Sequence, residues 1–209
     1  MSAVHAVIFD LGGVLLNLAP DRTKQAFEAL GVGNFDALFT VYQATPLFDQ
    51  LETGHVEPSE FVQAMRRELP DGVSDEAIID AWNAMLLDYR LDSLRFVESL
   101  KSVRPVYLFS NTNKIHYDWF QASAKHTTPY ATLDDIFHKA YYSHDIGYRK
   151  PDAAGYRHIL DEQGLEAATT LFVDDNAKNI EGAKATGLQV HWLQPGERVE
   201  TVLGSLLNP

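Results

Sequence analysis

The sequence has no cysteine among its 209 residues, and basic side chains are scarce, with 17 Lys and Arg against 29 Asp and Glu. Without Cys the protein can form no disulfide and cannot use a thiolate as nucleophile or metal ligand. The net charge of −12 excludes the clustered Lys and Arg face that nucleic acid or an anionic membrane requires. No run of about 20 apolar residues is present, so we expect no membrane span and a cytoplasmic protein.

The alternation of short apolar runs with helical patterns predicts an α/β core that is interrupted once. The apolar stretch Ala3–Leu18 is broken by Asp10 and lacks a basic flank, which indicates a buried strand and loop rather than a signal peptide. Residues 17–90 carry helical patterns without a strand signal. We predict a Rossmann-like, doubly wound parallel sheet from residues 1–16 and 91–209, with residues 17–90 inserted as a helical-bundle cap.

The individual elements follow from hydrophobic period, capping residues and glycine stops. The predicted helices of the insertion are Asp21–Leu30, Phe35–Tyr42, Pro46–Glu52, Pro58–Leu69 and Asp75–Leu87. The predicted core strands are Val4–Phe9, Val106–Phe109, Ala140–Ser143, Thr170–Val173 and Gln189–Leu193, and the predicted core helices are Leu91–Lys101, Ile115–Ala124, Ala153–Gln163 and Ala177–Ala185.

Polar residues directly follow three of the predicted strands. Asp10 follows the first strand, Ser110 and Asn111 follow the second, and the pair Asp174-Asp175 follows the fourth. The carboxyl ends of parallel strands meet at one edge of the sheet, where ligands of open α/β folds bind. The sequence therefore predicts one site at this edge, to which Lys150, in the segment Arg149-Lys150-Pro151, adds a cation.

Two adjacent carboxylates at the end of a buried strand repel each other unless a cation lies between them. Mg²⁺ prefers oxygen ligands and a small number of protein carboxylates, so Asp174 and Asp175 indicate a Mg²⁺ site. Asn179 lies one helical turn beyond and could hold the pair in position. The alternatives are structural. Asp175 could cap the following helix, Asp10 could cap a turn, and Lys150 taken alone could be solvated. Trp82 and Trp119 are interpreted as packing residues.

With these four motifs in this order, the chain resembles the haloacid dehalogenase-like hydrolase superfamily, in the branch with a helical cap inserted after the first motif. Its motifs are most similar to those of bacterial α-D-glucose-1-phosphate phosphatase-like members. The resemblance implies that Asp10 attacks phosphorus and forms an aspartyl-phosphate, which water then hydrolyses. It also implies that the cap closes over the site to exclude water and select the leaving group.

The resemblance also implies roles for the remaining motif residues. The metal ligands would be Asp10, the main-chain carbonyl of Gly12, Asp175, and Asp174 directly or through water. The phosphoryl oxygens would be held by Ser110, the main chain of Asn111, and Lys150, which also keeps Asp10 ionised.

The chain departs from the family pattern at Gly12. Most phosphatases of the superfamily carry a second Asp there, as general acid for the leaving group, and such catalysis is typically worth about 10²–10⁴-fold. A good leaving group such as a sugar anomeric oxygen would need less protonation. A cap residue such as His55 could replace the acid, or the protein could be a weak catalyst kept for another purpose.

We therefore expect a Mg²⁺-dependent phosphomonoester hydrolase that acts on a small phosphorylated metabolite, a sugar phosphate, as a monomer or weak dimer. One alternative is a metal-independent 2-haloacid dehalogenase, against which the acidic pair argues. Another is a catalytically weak protein that binds phosphate or a partner. A response-regulator receiver ranks last, because its acidic pair precedes the phospho-acceptor, whereas here it follows Asp10.

Overall fold

The computed structural model describes residues 3–43 and 45–207, with the backbone alone for residues 41–43. Its strands are β1 (Ala6–Phe9), β2 (Leu16–Leu18), β3 (Leu86–Tyr89), β4 (Val106–Ser110), β5 (Lys139–Tyr142), β6 (Thr170–Asp174) and β7 (Gln189–Trp192). Its helices are α1 (Pro20–Ala29), α2 (Phe35–Gln43), α3 (Leu47–Glu52), α4 (Pro58–Arg66), α5 (Asp75–Asn83), α6 (Leu91–Lys101), α7 (Lys114–Thr127), α8 (Ser143–Ile146), α9 (Ala153–Gln163), α10 (Ala177–Ala185) and α11 (Val199–Leu207). Within these described residues, no helix has the length and apolar character that a membrane crossing requires.

Five strands form one parallel sheet in the order β5-β4-β1-β6-β7. The central strand β1 is paired on both sides, with Ile8 opposite Tyr107 of β4 and Phe172 of β6. All residues of β1, β4 and β6 are buried, because helices cover both faces of the sheet. Alternate residues feed two separate cores, with Phe9 in one and Ile8 in the other. This confirms the predicted parallel α/β fold.

Helices α1 to α5 form a bundle around their own apolar core. Phe27, Phe61 and Ile78 are fully buried in it, and Trp82 of α5 packs against the same cluster. The sequence places these helices correctly, although α4 ends at Arg66 rather than Leu69.

The expectation that residues 17–90 contain no strand is wrong. The helix predicted to reach Leu87 ends at Asn83, and Leu86–Tyr89 forms β3, which pairs antiparallel with β2 through Leu16 opposite Tyr89. Strands of three or four residues are too short to show a period, and this pairing joins segments far apart in sequence. The pair connects the sheet to the bundle.

Candidate active site

The loop after β1 turns sharply and holds Asp10 at the sheet edge. The Asp10 amide donates to Val173 O at 2.9 Å, which extends the sheet by one residue. The carbonyl of Leu11 then accepts three amides, from Val14, Leu15 and Leu16. Gly13 has φ +72°, and a Cβ there would lie 2.0 Å from Asp175 Oδ2. The loop therefore needs glycine at this position, and Asp175 lies directly against it.

Lys150 is buried between two of the predicted carboxylates. Its Nζ donates to Asp10 Oδ1 at 2.6 Å and to Asp174 Oδ2 at 2.8 Å, and the residue is 1% exposed. The Asn111 side chain fixes the Lys150 main chain twice, because Nδ2 donates to its carbonyl and Oδ1 accepts from its amide, both at 2.8 Å. The side-chain amide of Asn111 is thus occupied with positioning Lys150.

The two carboxylates of the acidic pair have different surroundings. Asp174 is fully buried, and its oxygens accept from Lys150, from the Asn176 amide at 2.7 Å and from Asn179 Nδ2 at 3.0 and 3.2 Å. Asp175 is exposed in the cleft. Ligand oxygens of Asp10, Asp174 and Asp175 all lie within 4.8 Å of one another. The structure therefore brings together the carboxylates that the sequence predicts as metal ligands, and Asn179 holds Asp174.

The ammonium of Lys150 contacts two of these three carboxylates, Asp10 and Asp174, so its charge does not balance the cluster. Burial raises the pKa of Asp10 to about 7; the Lys150 charge opposes the rise and the Asp174 charge adds to it. Partial desolvation and the Asp174 charge also raise the pKa of Asp175. Burial lowers the pKa of Lys150, but attraction to Asp10 and Asp174 outweighs burial and raises it. Hard oxygen ligands with excess negative charge fit a small divalent cation.

The donors predicted to hold an anion follow β4. Ser110 is buried at the strand end, and its hydroxyl makes a long 3.5 Å contact with Asn111 O. Ser143 Oγ accepts from the Thr112 amide and donates to the Thr112 carbonyl, both at 2.9 Å, so the loop is fixed from β5's end. Asn113 then caps α7 by accepting from the His116 amide. Asn111 of this loop lines the same cavity as Asp10, and Ser110, Thr112 and Asn113 line the cavity beside it.

Two adjoining cavities lie over these residues. A cavity of about 650 Å³ is lined by Asp10, Lys150 and Asp175, and one of about 360 Å³ extends between the loop after β4 and the helical bundle. Gly12 lines both, so it stands where phosphate and leaving group would meet. His55, the predicted substitute for the missing acid, lines neither cavity; it is exposed and bonds Thr53 Oγ1 at 2.9 Å.

The contacts between Arg149 and the helical bundle are not predicted from the sequence. Arg149 forms ion pairs with Asp49 and Glu52 of α3, next to the buried Lys150. No local sequence pattern predicts a contact between residues that lie so far apart in the chain. Trp82, interpreted as packing, does pack, but it also lines the cavity between bundle and core.

The model of the haloacid dehalogenase-like hydrolase family matches residues 4–187, and the chain belongs to this family. The D-ribitol-5-phosphate phosphatase of Bacteroides thetaiotaomicron is 29% identical, over 98% of this chain and 99% of that protein. The sesquiterpene phosphatase astK of Aspergillus oryzae is 28% identical over 88% and 86% of the two chains.

Solved structures give the same family. The crystal structure of HAD family enzyme BT-2542 from Bacteroides thetaiotaomicron has a TM-score of 0.90 at 30% identity, over 97% of this chain and 99% of that one. The same enzyme was solved in complex with magnesium and inorganic phosphate, with a TM-score of 0.86, 30% identity and coverage of 96% and 99%. The L-2-haloacid dehalogenase RSc1362, at 20% identity and a TM-score of 0.62, shares the fold alone.

Proposed function

We propose that this protein is a Mg²⁺-dependent phosphatase that hydrolyses a phosphomonoester of a small metabolite through an aspartyl-phosphate on Asp10. The observation that carries the proposal is Lys150, buried between Asp10 and Asp174 beside the exposed Asp175. Lys150 is bonded to two of these three carboxylates, so its single positive charge does not balance the cluster before a phosphate enters. The related enzyme solved with magnesium and inorganic phosphate supports this assignment.

Asp10 acts as nucleophile. Its Oδ1 is bonded to Lys150, so Oδ2 attacks phosphorus while the bond between phosphorus and the alcohol oxygen breaks. Water then attacks phosphorus of the aspartyl-phosphate, the bond between phosphorus and the Asp10 oxygen breaks, inorganic phosphate is released and Asp10 is regenerated. The Lys150 charge favours the ionised form of Asp10 and so opposes the rise in its pKa that burial causes.

The metal would be held by Asp10, the main-chain carbonyl of Gly12 and Asp175. Asp174 would act through water, because Lys150 and the residues after β6 already occupy its oxygens. When bound, Mg²⁺ offsets the charge on the transferring phosphoryl group and aligns it for in-line attack.

The phosphoryl oxygens would be held by Ser110 Oγ, the main-chain N–H of Asn111 and Lys150 Nζ. Ser110 ends β4, next to β1, and Asn111 follows it; Asn111 lines the same cavity as Asp10, and Ser110 lines the adjoining cavity. Because the Asn111 side chain is occupied with Lys150, its contribution to the phosphate is its main chain.

The helical bundle of residues 17–90 serves as the cap over the core of residues 1–16 and 91–209, and the leaving group occupies the cavity between them. Gly12 supplies no proton, which favours an ester whose alcohol leaves readily. The D-ribitol-5-phosphate phosphatase relative supports sugar and polyol phosphates as substrates. Glucose 1-phosphate, towards which the motifs point, stays a prediction within this class.

Phosphate release from a panel of sugar, polyol and nucleotide monophosphates tests the proposal, with Mg²⁺ and with EDTA. Asp10→Asn should abolish turnover, whereas the control Asp92→Asn, on an exposed helix surface, should not. Turnover that persists in EDTA or in Asp10→Asn contradicts the mechanism. Halide release from a 2-haloacid without metal would favour the dehalogenase alternative, and phosphate binding without turnover would favour the weak-catalyst alternative.

A further inference from the structure

The loop after β1 is held from outside the site by Arg90, the residue that follows β3. The Arg90 amide donates to Leu15 O at 2.9 Å. In its side chain, Nη1 donates to Val14 O at 3.3 Å and Nε donates to Asn17 Oδ1 at 2.8 Å. The main chain and side chain of one residue therefore bond three neighbouring residues of the loop.

These bonds supply donors to buried carbonyls. Val14 and Leu15 are fully buried, and in the described part of the chain no other group donates to their carbonyls. A buried carbonyl without a donor is costly, so this conformation of the loop depends on Arg90. At its other end the loop closes on itself, because the Leu11 carbonyl accepts amides of the same turn.

The Gly12 carbonyl is different, because no amide or side chain among the described residues donates to it. The carbonyls of Leu11, Val14 and Leu16, in the same turn, all accept hydrogen bonds. The oxygen that is proposed above as a metal ligand is therefore available to a cation. Its place is set by the turn around it, which Arg90 holds.

Arg90 lies beside the acidic cluster but does not pair with it. Arg90, Gly13 and Asp175 line one cavity of about 360 Å³. Among the residues that the structure describes, the Arg90 guanidinium forms no ion pair, and its bonds go to the loop. The main chain of Asp175 is fixed separately, because Trp192 Nε1 donates to its carbonyl at 2.9 Å. Arg90 therefore acts on the Gly12 side of the cluster.

We propose that Arg90 is a positioning residue for the metal site, which holds the Gly12 carbonyl in place through its three bonds to the loop. This inference rests on the proposed phosphatase function, and Arg90 takes no part in the displacement at phosphorus. A guanidinium suits the role because Nε and Nη1 lie in one rigid plane and reach two acceptors together. The single nitrogen of a lysine does not reproduce this fork.

Isothermal titration calorimetry with Mg²⁺ alone, without substrate, tests this role. Arg90→Met keeps an apolar stem and removes the fork, so it should weaken Mg²⁺ binding about 10- to 100-fold, the usual cost of removing a group that orients a metal ligand. Arg90→Lys keeps the positive charge without the fork and should also bind Mg²⁺ more weakly than the wild type. The control Arg95→Met breaks an exposed pair with Asp92 on α6 and should leave Mg²⁺ binding unchanged.

Kinetics and thermal melting separate positioning from loss of fold. In both Arg90 variants the Mg²⁺ concentration for half-maximal phosphate release should rise, whereas KM for the ester at saturating Mg²⁺ should stay at the wild-type value. If melting shows that Arg90→Met does not fold, Arg90→Lys decides the question.

Wild-type Mg²⁺ affinity in Arg90→Lys would show that charge alone suffices and would overturn the inference, while the phosphatase assignment stands. A KM for the ester that rises as much as the Mg²⁺ requirement would also overturn it. A wild-type protein that binds no Mg²⁺ would overturn the proposed function, and this inference with it.

Discussion

Replacing Lys150 by Met should destabilise the metal-free protein strongly. The ammonium donates to Asp10 at 2.6 Å and to Asp174 at 2.8 Å, and it is 1% exposed. Methionine fills the same space but leaves two buried carboxylates facing each other without a cation. Removing one partner of a buried ion pair costs about 3–5 kcal/mol, a large part of a typical free energy of unfolding of about 5–15 kcal/mol.

Urea unfolding followed by circular dichroism, at about pH 8 in EDTA, measures this loss. The double variant Lys150→Met/Asp10→Asn should recover at least about 1.5 kcal/mol, because it removes one of the stranded charges. As a control, Lys184→Met breaks an exposed pair with Glu181 and should cost about 0–1 kcal/mol.

The loss should also shrink at about pH 5.5, where Asp10 is protonated and neutral. A loss for Lys150→Met below about 1 kcal/mol, or no recovery in the double variant, would refute the electrostatic reasoning.

Three further outcomes are expected. Gly13→Ala should weaken Mg²⁺ activation about 10- to 100-fold, because its Cβ displaces Asp175, while Gly33→Ala, in open space, should not. Burial raises the pKa of Asp10 from 3.8 to about 7, so the stability of the metal-free protein should fall as pH rises from about 4 to 7. Because Mg²⁺ binds the ionised carboxylate, the gain in Tm on adding Mg²⁺ should grow from about pH 5.5 to 8. A gain that stays constant over this range would contradict the prediction. Gly12→Asp should raise turnover of alkyl phosphates relative to p-nitrophenyl phosphate by up to about 10²-fold, and an unchanged ratio would remove the missing acid as the limit on rate.

The core of the fold could be predicted from the sequence because its signals are local. Leu91–Lys101, Ala153–Gln163 and Ala177–Ala185 are helices with the predicted bounds, set by apolar period and, in the last two, by glycine near the end. The helix Val199–Leu207 is not among the predicted elements. Its buried residues Val199, Leu203 and Leu207 repeat at a spacing of four, which is the pattern of an amphipathic helix.

The candidate site also has a part that could be predicted from local sequence signals and a part that could not. The structure brings Asp10, Lys150 and Asp174 into contact. Asp10 follows β1 and Asp174 ends β6, and both strands are predicted from local sequence signals, whereas Lys150 reaches them from the loop before α9. The contacts of Arg149 with Glu52, and the buried Nε1 of Trp82, depend on how the bundle sits on the core. That arrangement is a matter of packing between distant segments, and no motif in a single sequence encodes it.

The pairing of β2 with β3 affects how the segment between them can change during evolution. The chain leaves the core and returns to it side by side, with Ala19 N donating to Met85 O and Arg90 N donating to Leu15 O, each at 2.9 Å. The insert between β2 and β3 begins and ends at these two neighbouring points. The sheet therefore does not restrict the length or shape of the insert. The insert can therefore be exchanged in evolution without altering the sheet or the positions of Asp10 and Asp174.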